Sequence, residues 1–110
     1  MITLIDGAVA VGESEKITIT QSQDTGQEAH SFQVSTTGSP TAVVVSILGS
    51  IDGVNFTCIL RHPFNKKEIT AGTALFHLVN KPVPTIKAKI ETLTGGVSPT
   101  VSVYYFKGTL

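Results

Sequence analysis

The side chains that could carry out chemistry are few in this sequence and lie far apart along it. They are three histidines, His30, His62 and His77, and a single cysteine, Cys58. No histidine falls in an HxH, HExxH or HxxxH spacing, which would place two metal ligands on one face of a strand or helix. No set of acid, base and nucleophile can be assembled around them either. We therefore expect no catalytic residue, no metal site and no cofactor, and a protein that is not an enzyme.

The local surroundings of these four residues favour structural roles. His62 precedes a proline, which indicates an ordinary loop histidine, and His30 opens a strand, which indicates an exposed edge position. Cys58 lies in an apolar stretch, where a cysteine behaves as a small hydrophobic residue, so we expect an inert core thiol. His77 alternates with apolar residues, and we expect it to be partly buried or to lie at an interface.

Composition narrows the classes of partner. The chain has 110 residues, no net charge, and a charged fraction of only 15%. Soluble domains usually carry about 25% charged residues, so we expect a partner to cover part of the surface. The charges are scattered, which argues against binding to nucleic acid or to an anionic membrane. The first ten residues lack a basic region and are interrupted by Asp6 and Gly7, so we expect neither a signal peptide nor a spanning helix.

Apolar residues alternate with period two along almost the whole chain, and no long window has helical periodicity. In "TIKAKIETL", Ile86, Ala88 and Ile90 alternate with charged residues, and in "HSFQVST", Phe32 and Val34 alternate with polar ones. The pattern predicts an all-β chain: a single antiparallel β-sandwich or jelly-roll-like domain of about eight strands over residues 1–110. The strand order, and with it the choice between these two folds, stays open.

Two glycine-containing turns mark the predicted hairpins. Asp52 and Gly53 separate "TAVVVSIL" from "TCILRH", and an Asp-Gly pair between β-rich stretches is a strong hairpin signal. The continuous apolar run before that turn is typical of a central strand covered on both sides. Gly95 and Gly96 lie between "TIKAKIETL" and "TVSVYYFKG", and we expect a second hairpin there.

Surface positions with apolar side chains indicate an interface. In "TALFHLV", Leu75, His77 and Val79 form a second, mostly apolar face, and Tyr104 alternates outward in the last strand. The N-terminal segment, residues 1–12 with Ile2 and Leu4, is either an arm that reaches a neighbouring subunit or the first strand of the sandwich. The candidate interface residues are Leu75, His77, Val79, Tyr104, Ile2 and Leu4.

Two longer motifs carry a resemblance to a known group. "VVVSILGSIDGVNF" and "LFHLVNKPVPTIKAKIETLTGGVSPTVSVYYF" resemble the small β-sandwich virion proteins of tailed bacteriophages, with Phe56 where many of those carry Trp. The resemblance implies a non-enzymatic structural protein located in the virion after synthesis in the host cytoplasm. It implies a capsid decoration or cement protein, or alternatively a head-to-tail or tail component. A rival hypothesis of another class is a tail-tip or cell-surface recognition module that binds glycan or protein. The implied partners are further copies of the chain, as a trimer, and the major capsid protein or another virion protein.

Overall fold

The computed structural model describes residues 2–18, 28–79 and 83–109. Within these ranges the chain forms nine β-strands and one short helix. The elements are β1 (Ile2–Ala8), β2 (Gly12–Glu13), β3 (Ile17–Thr18), β4 (Glu28–Thr37), β5 (Ala42–Ser50), β6 (Thr57–Pro63), α1 (Lys66–Ala71), β7 (Thr73–Val79), β8 (Thr85–Thr94) and β9 (Thr100–Thr109).

The strands form two antiparallel sheets that pack face to face. One sheet has four strands in the order β1-β9-β4-β7, and the other has five, in the order β2-β8-β5-β6 with β3 also pairing with β8. Because β2 and β3 share one edge of β8, the nine strands occupy eight positions. The chain crosses repeatedly between the sheets, and this interleaving of strands is the jelly-roll arrangement. The predicted all-β sandwich is confirmed, and of the two folds left open the strand order is that of a jelly roll.

The core lies between the two sheets and is built from alternate residues of each long strand. Inward-facing side chains are almost fully buried, whereas their sequence neighbours are half-buried or exposed, as a period of two requires. This confirms the predicted faces of β4, β7, β8 and β9. The buried hydrophobic residues are Phe32, Val34, Val43, Val45, Ile47, Ala74, Phe76, Leu78, Ile86, Ala88, Ile90, Val101, Val103 and Tyr105.

The run "TAVVVSIL" forms β5, which pairs with β8 on one side and with β6 on the other. Its inner face belongs to the core, and Ser46 on its outer face is also buried. The Ser46 hydroxyl donates a hydrogen bond to the carboxylate of Glu91 on β8. The strand is therefore central, as predicted, and its outer face is covered by side chains of its own sheet.

The Asp52–Gly53 hairpin joins β5 to β6 as predicted, through a six-residue loop, 51–56. The Asp52 carboxylate accepts hydrogen bonds from the Ser50 hydroxyl, from the backbone N–H groups of Val54 and Asn55, and from the Asn55 side chain. Led by the backbone bond from Asn55, these donors hold the pKa of Asp52 far below its usual range. Gly53 has a φ of 76°, which glycine adopts without strain.

The predicted hairpin at Gly95 and Gly96 is wrong, because β8 and β9 lie in different sheets. Both glycines have positive φ, and a Cβ on Gly96 would collide with the backbone of Gly38 and Ser39. The segment therefore crosses from one sheet to the other against the β4–β5 connection. Alternation shows which face of a strand is apolar, but two apolar faces can meet across a core as well as side by side.

The polar connection after β6 contains a helix, which is too short to be recognised from hydrophobic periodicity. Asn65 caps α1 through its side chain, which accepts from the Glu68 N–H at 2.9 Å, and the Glu68 side chain accepts from the Asn65 N–H at 3.0 Å. Gly72 ends the helix with a φ of 75°.

The prediction of a loop position for His62 is wrong, because this residue lies in β6. Its Nε2 is 2.8 Å from Glu68 Oε2, and its ring stacks on Phe76 with centroids 4.7 Å apart.

Two further predictions about single residues are wrong. His30 was expected to be exposed, but β4 lies between β7 and β9, so its side chain is fully buried and its Nδ1 is 2.6 Å from the hydroxyl of Tyr105. Cys58 was expected in the core, but it is exposed. A β-bulge shifts the register of β6 against β5, so that alternation along β6 no longer predicts which side chain faces inward.

Candidate functional site

The side chains capable of chemistry are distributed over the fold. His30 is in the core, His62 packs beside the helix, and His77 lies on the outer face of the four-stranded sheet. Over residues 2–18, 28–79 and 83–109, no group of three His, Cys, Asp or Glu residues is close enough to hold a metal ion. In the same ranges, no helix is both long and apolar enough to span a membrane. The surfaces of the two sheets are therefore the features to compare.

The outer face of the five-stranded sheet is charged, and it carries two ion pairs. Lys87 Nζ lies 2.6 Å from Glu13 Oε1 and 4.4 Å above the ring of Phe56. Arg61 Nε lies 3.2 Å from Glu91 Oε2. The hydrogen bond from Lys87 holds the pKa of Glu13 below its usual value, and hydrogen bonding and nearby positive charge do the same for Glu91. This face is an ordinary solvated surface.

The outer face of the four-stranded sheet is chemically the opposite. We call the outward-facing side chains of its strands β4, β7 and β9 the uncharged face, because they include no Asp, Glu, Lys or Arg. Asp6, on the edge strand β1, is not part of this set. The described members are Ala29, Ser31, Gln33, Ser35, Thr37, Thr73, Leu75, His77, Thr100, Ser102, Tyr104 and Phe106.

Strand register gives this face a defined centre. Gln33 on β4 lies directly opposite Leu75 on β7 and Tyr104 on β9. Leu75 is 63% exposed and Phe106 is 60% exposed, which is unusual for large apolar side chains on the flat part of a sheet. Together with Ser31, these four residues line a shallow groove. This groove is the candidate binding site on the uncharged face.

His77 provides a polar side chain at the edge of this groove. Its Nδ1 is 2.9 Å from the hydroxyl of Ser31 on the neighbouring strand, which fixes the orientation of the ring. On the other neighbouring strand, β9, Phe106 lies directly opposite Ser31. The histidine therefore adds a hydrogen-bonding group to the face.

The structure brings three of the predicted interface residues together: Leu75, His77 and Tyr104 share the uncharged face. Val79 ends the same strand, and its side chain lies outside the described part of the chain. That these residues form an interface stays a prediction. Sequence reasoning missed Phe106, although its position two residues after Tyr104 in an alternating strand was the signal that could have identified it.

Ile2 and Leu4 lie apart from this face. Residues 2–8 pair with β9 as the edge strand of the four-stranded sheet, so of the two sequence-based alternatives for this segment the structure has the first strand. A register shift at Leu4 lets it pack half-buried against the core. Ile2 is 45% exposed at the end of the strand, where it is opposite Tyr105.

Comparisons with known proteins give a fold and no family. No protein-family model matches the chain, and no curated protein matches its sequence. Among solved structures, the chain is similar to the SPBc2 prophage-derived protein YomS, with a TM-score of 0.51 and 12% identity over 97% of this chain and 90% of that one. A CBM4 structure gives a TM-score of 0.47 and 16% identity over 89% of this chain, which spans 59% of that one. At these identities the likeness to YomS shows a shared β-rich fold.

Proposed function

We propose that this protein is a structural component of a tailed-phage virion that binds other virion subunits and catalyses no reaction. The observation that carries the proposal is the uncharged face, on which Leu75 and Phe106 are exposed on the flat part of a sheet. Exposed apolar patches of this kind mark interaction surfaces in folded proteins. The more specific proposal is a capsid decoration or cement protein.

Two further observations support a virion role. The fold is shared with a prophage-derived protein, and the sequence motifs resemble those of small virion proteins. The histidines and the cysteine are separated in the fold, which favours binding over catalysis. The partners proposed are further copies of this chain together with the major capsid protein or another virion protein.

The mechanism of a decoration protein is thermodynamic. A subunit that binds the mature shell and not its precursor stabilises the mature state by mass action. Copies that are linked to one another on the shell gain avidity, because the second contact is made at a high effective concentration. Neither effect requires a catalytic group.

A tail-tip recognition module is the second candidate function. It is favoured by the groove on the uncharged face, where Tyr104 and Phe106 offer ring surfaces beside the amide of Gln33. Aromatic rings and amides together suit a neutral ligand such as a glycan or an uncharged protein surface. The two candidates place the protein at opposite parts of the particle, which makes them separable.

The test is to locate the protein in particles. Particles are purified from a lysate of the phage or lysogen that encodes the chain, and the chain is assayed by mass spectrometry and by immunogold labelling. We expect it in the particle fraction, in many copies, with label over the head shell. Recombinant protein should also co-sediment with heads from which it has been stripped, and bovine serum albumin serves as the control for trapping.

Each alternative result has a defined meaning. Label confined to the tail would overturn the decoration role and support the recognition module. Absence of the chain from purified particles, together with its presence in the soluble lysate, would overturn the virion role itself.

A further inference from the structure

We propose that the bond between Asp6 and Gly7 is a site of spontaneous isomerisation to isoaspartate, and that hydrogen bonds to the Asp52 carboxylate protect the bond between Asp52 and Gly53 from the same reaction. The chain contains the sequence Ile-Asp-Gly twice, at residues 5–7 and 51–53. Both copies therefore have the same reacting groups and the same preceding side chain, and the fold supplies the difference between them. The inference concerns the chemistry of the chain itself and does not depend on the virion role.

The reaction has two steps and needs no reactant other than water. The glycine backbone nitrogen attacks Cγ of the preceding aspartate: an N–Cγ bond forms, the Cγ–O bond breaks, and the amide hydrogen leaves with the carboxyl OH as water. Water then opens the five-membered succinimide, and opening at the main-chain carbonyl leaves isoaspartate, in which the main chain is one atom longer. Glycine favours the attack because it has no side chain to obstruct the ring. The carboxyl group must turn toward the nitrogen and be protonated, so that its OH can leave.

The two glycine nitrogens are held alike. The Gly7 N–H donates to the hydroxyl of Ser102, and the Gly53 N–H donates to the hydroxyl of Ser50, both at 2.9 Å. Both glycines also have positive φ, 64° at Gly7 and 76° at Gly53. The attacking groups therefore give neither site an advantage, and the two carboxyl groups decide the reactivity.

The carboxylate of Asp52 is fixed on both oxygens. Its Oδ1 accepts from the Ser50 hydroxyl and from the N–H groups of Val54 and Asn55, and its Oδ2 accepts from the Asn55 side chain, each at 2.8 Å. Turning Cγ toward the Gly53 nitrogen would break these hydrogen bonds. They also favour the ionised form, the backbone bond from Asn55 most of all, and hold the pKa of Asp52 far below its usual range. The protonated form that reacts is therefore rare at neutral pH.

The carboxylate of Asp6 has no such partners among residues 2–18, 28–79 and 83–109. Asp6 is exposed, and within these ranges its side chain makes no hydrogen bond or ion pair. It lies with Gly7 between the paired residues Ile5 and Ala8, where the register of β1 against β9 shifts. The ladder is interrupted at this point of an edge strand, so local opening is easy. The Asp6 carboxyl group can reach the Gly7 nitrogen without breaking a hydrogen bond of its own.

The test follows both sites in one sample of the full chain. Folded protein is kept near neutral pH and at body temperature for several weeks, and isoaspartate is located by tryptic peptide mapping and by labelling with protein isoaspartyl methyltransferase. Cleavage after Lys16 and Arg61 puts the two sites in different peptides, 1–16 and 17–61. We expect isoaspartate to form at Asp6 at least about tenfold faster than at Asp52, because the reaction at Asp52 must first break several hydrogen bonds. Asp6→Glu should abolish the faster signal, since attack on the longer side chain would have to close a six-membered ring.

The unfolded chain and one pair of variants test the cause. In guanidinium chloride the hydrogen bonds are lost, and the two sites should isomerise at similar rates, because their sequences match. In the folded chain, Asn55→Ala removes the side-chain donor to the Asp52 carboxylate and leaves the Gly53 N–H on Ser50, so isomerisation at Asp52 should become several-fold faster while the rate at Asp6 stays unchanged. Asn65→Ala is the matched control, since the same substitution on the helix cap should change neither rate. Circular dichroism verifies that both variants are folded.

The proposal is overturned if the folded wild type isomerises equally fast at both sites, faster at Asp52 or at neither site. A difference between the sites that persists in the unfolded chain would also overturn it, because the cause would then lie in the sequence and not in the fold. These comparisons need no variant. A folded Asn55→Ala chain that isomerises at Asp52 no faster than the wild type would overturn the protective role of the carboxylate hydrogen bonds.

Discussion

At the scale of single residues, the notable feature of the core is a polar pair. His30 is fully buried and Tyr105 is 2% exposed, and the two are joined by a 2.6 Å hydrogen bond between Nδ1 and the hydroxyl. Buried polar groups are costly unless they are hydrogen-bonded, so this bond ties β4 to β9 chemically as well as through the backbone. Phe32 packs beside the Tyr105 ring, with centroids 5.2 Å apart.

We predict that Tyr105→Phe lowers the free energy of unfolding by about 1–3 kcal/mol, because the ring still packs while His30 Nδ1 loses its hydroxyl partner. The measurement is urea denaturation followed by circular dichroism. Tyr104→Phe is the matched control: it removes the same hydroxyl from the neighbouring, outward-facing residue and should change stability by less than about 0.5 kcal/mol. Equal losses in the two variants would contradict the assigned role of the buried bond.

At the scale of elements, the capping residues of α1 stabilise the connection between β6 and β7. The helix α1 is only six residues long, too short to be stable by itself, so its ends depend on their caps. Burial raises the pKa of Glu68, but the hydrogen bonds from the Asn65 N–H and from His62 outweigh burial and leave that pKa below its usual value. The cap thus joins the helix to β6.

Removing the cap should be measurable. We predict that Asn65→Ala lowers the free energy of unfolding by about 1 kcal/mol, because the Glu68 N–H loses its acceptor. Asn65→Asp keeps an acceptor oxygen at the helix N-terminus and should be close to wild type. The two variants are compared by thermal and urea unfolding, and a similar loss in both would show that the cap contributes little.

The crossing between β8 and β9 can be tested at Gly96, with Gly7 in β1 and Gly12 in β2 as comparison positions. Gly96→Ala should be the most damaging, by about 2 kcal/mol or more, because strain from positive φ adds to a collision with the backbone of Gly38 and Ser39. Gly7→Ala has positive φ and open space, so it should cost about 1 kcal/mol. Gly12→Ala has neither problem and should be near neutral. Urea midpoints give the ranking, and a neutral Gly96→Ala would contradict the close crossing.

At the scale of the whole molecule, the outer faces of the two sheets differ in charge. One carries charged side chains that include two ion pairs, and the other carries the uncharged face. The carboxylates of Glu13, Asp52, Glu68 and Glu91 are all stabilised in the folded state, and each has a lowered pKa. The unfolded chain therefore binds more protons than the folded one in the acidic range.

The difference in proton binding between the folded and unfolded chains predicts that the folded protein loses stability in acid. The stabilisation is present above the unfolded carboxyl pKa values of about 4 and is lost as pH falls through the lower folded values. We expect the urea midpoint to be steady from pH 7 to 5 and to decrease below about pH 4.5. Asp52→Asn should make the decrease shallower, because one of the perturbed carboxylates is gone. A midpoint that rises on acidification would contradict the assignment.

The candidate site was partly predictable from the sequence. Alternation identified Leu75, His77 and Tyr104 as outward-facing, because side-chain direction along a regular strand depends only on local geometry. It could not show that β7 and β9 flank the same strand, β4, and hence that these residues share one face with Gln33. Where the local geometry is irregular, as at the bulge beside Cys58, even the direction of a side chain was predicted wrongly.

The sequence by itself determined the all-β class, the inward faces of the long strands and the turn at Asp52 and Gly53, since each depends on residues near one another in the chain. Only the tertiary structure decided which strands pair. It separated β8 from β9, buried His30 between two neighbouring strands, and assembled the uncharged face from three strands. The physical reason is that strand pairing is a long-range contact, chosen by how apolar faces are buried together, and a pattern of period two is compatible with several such choices.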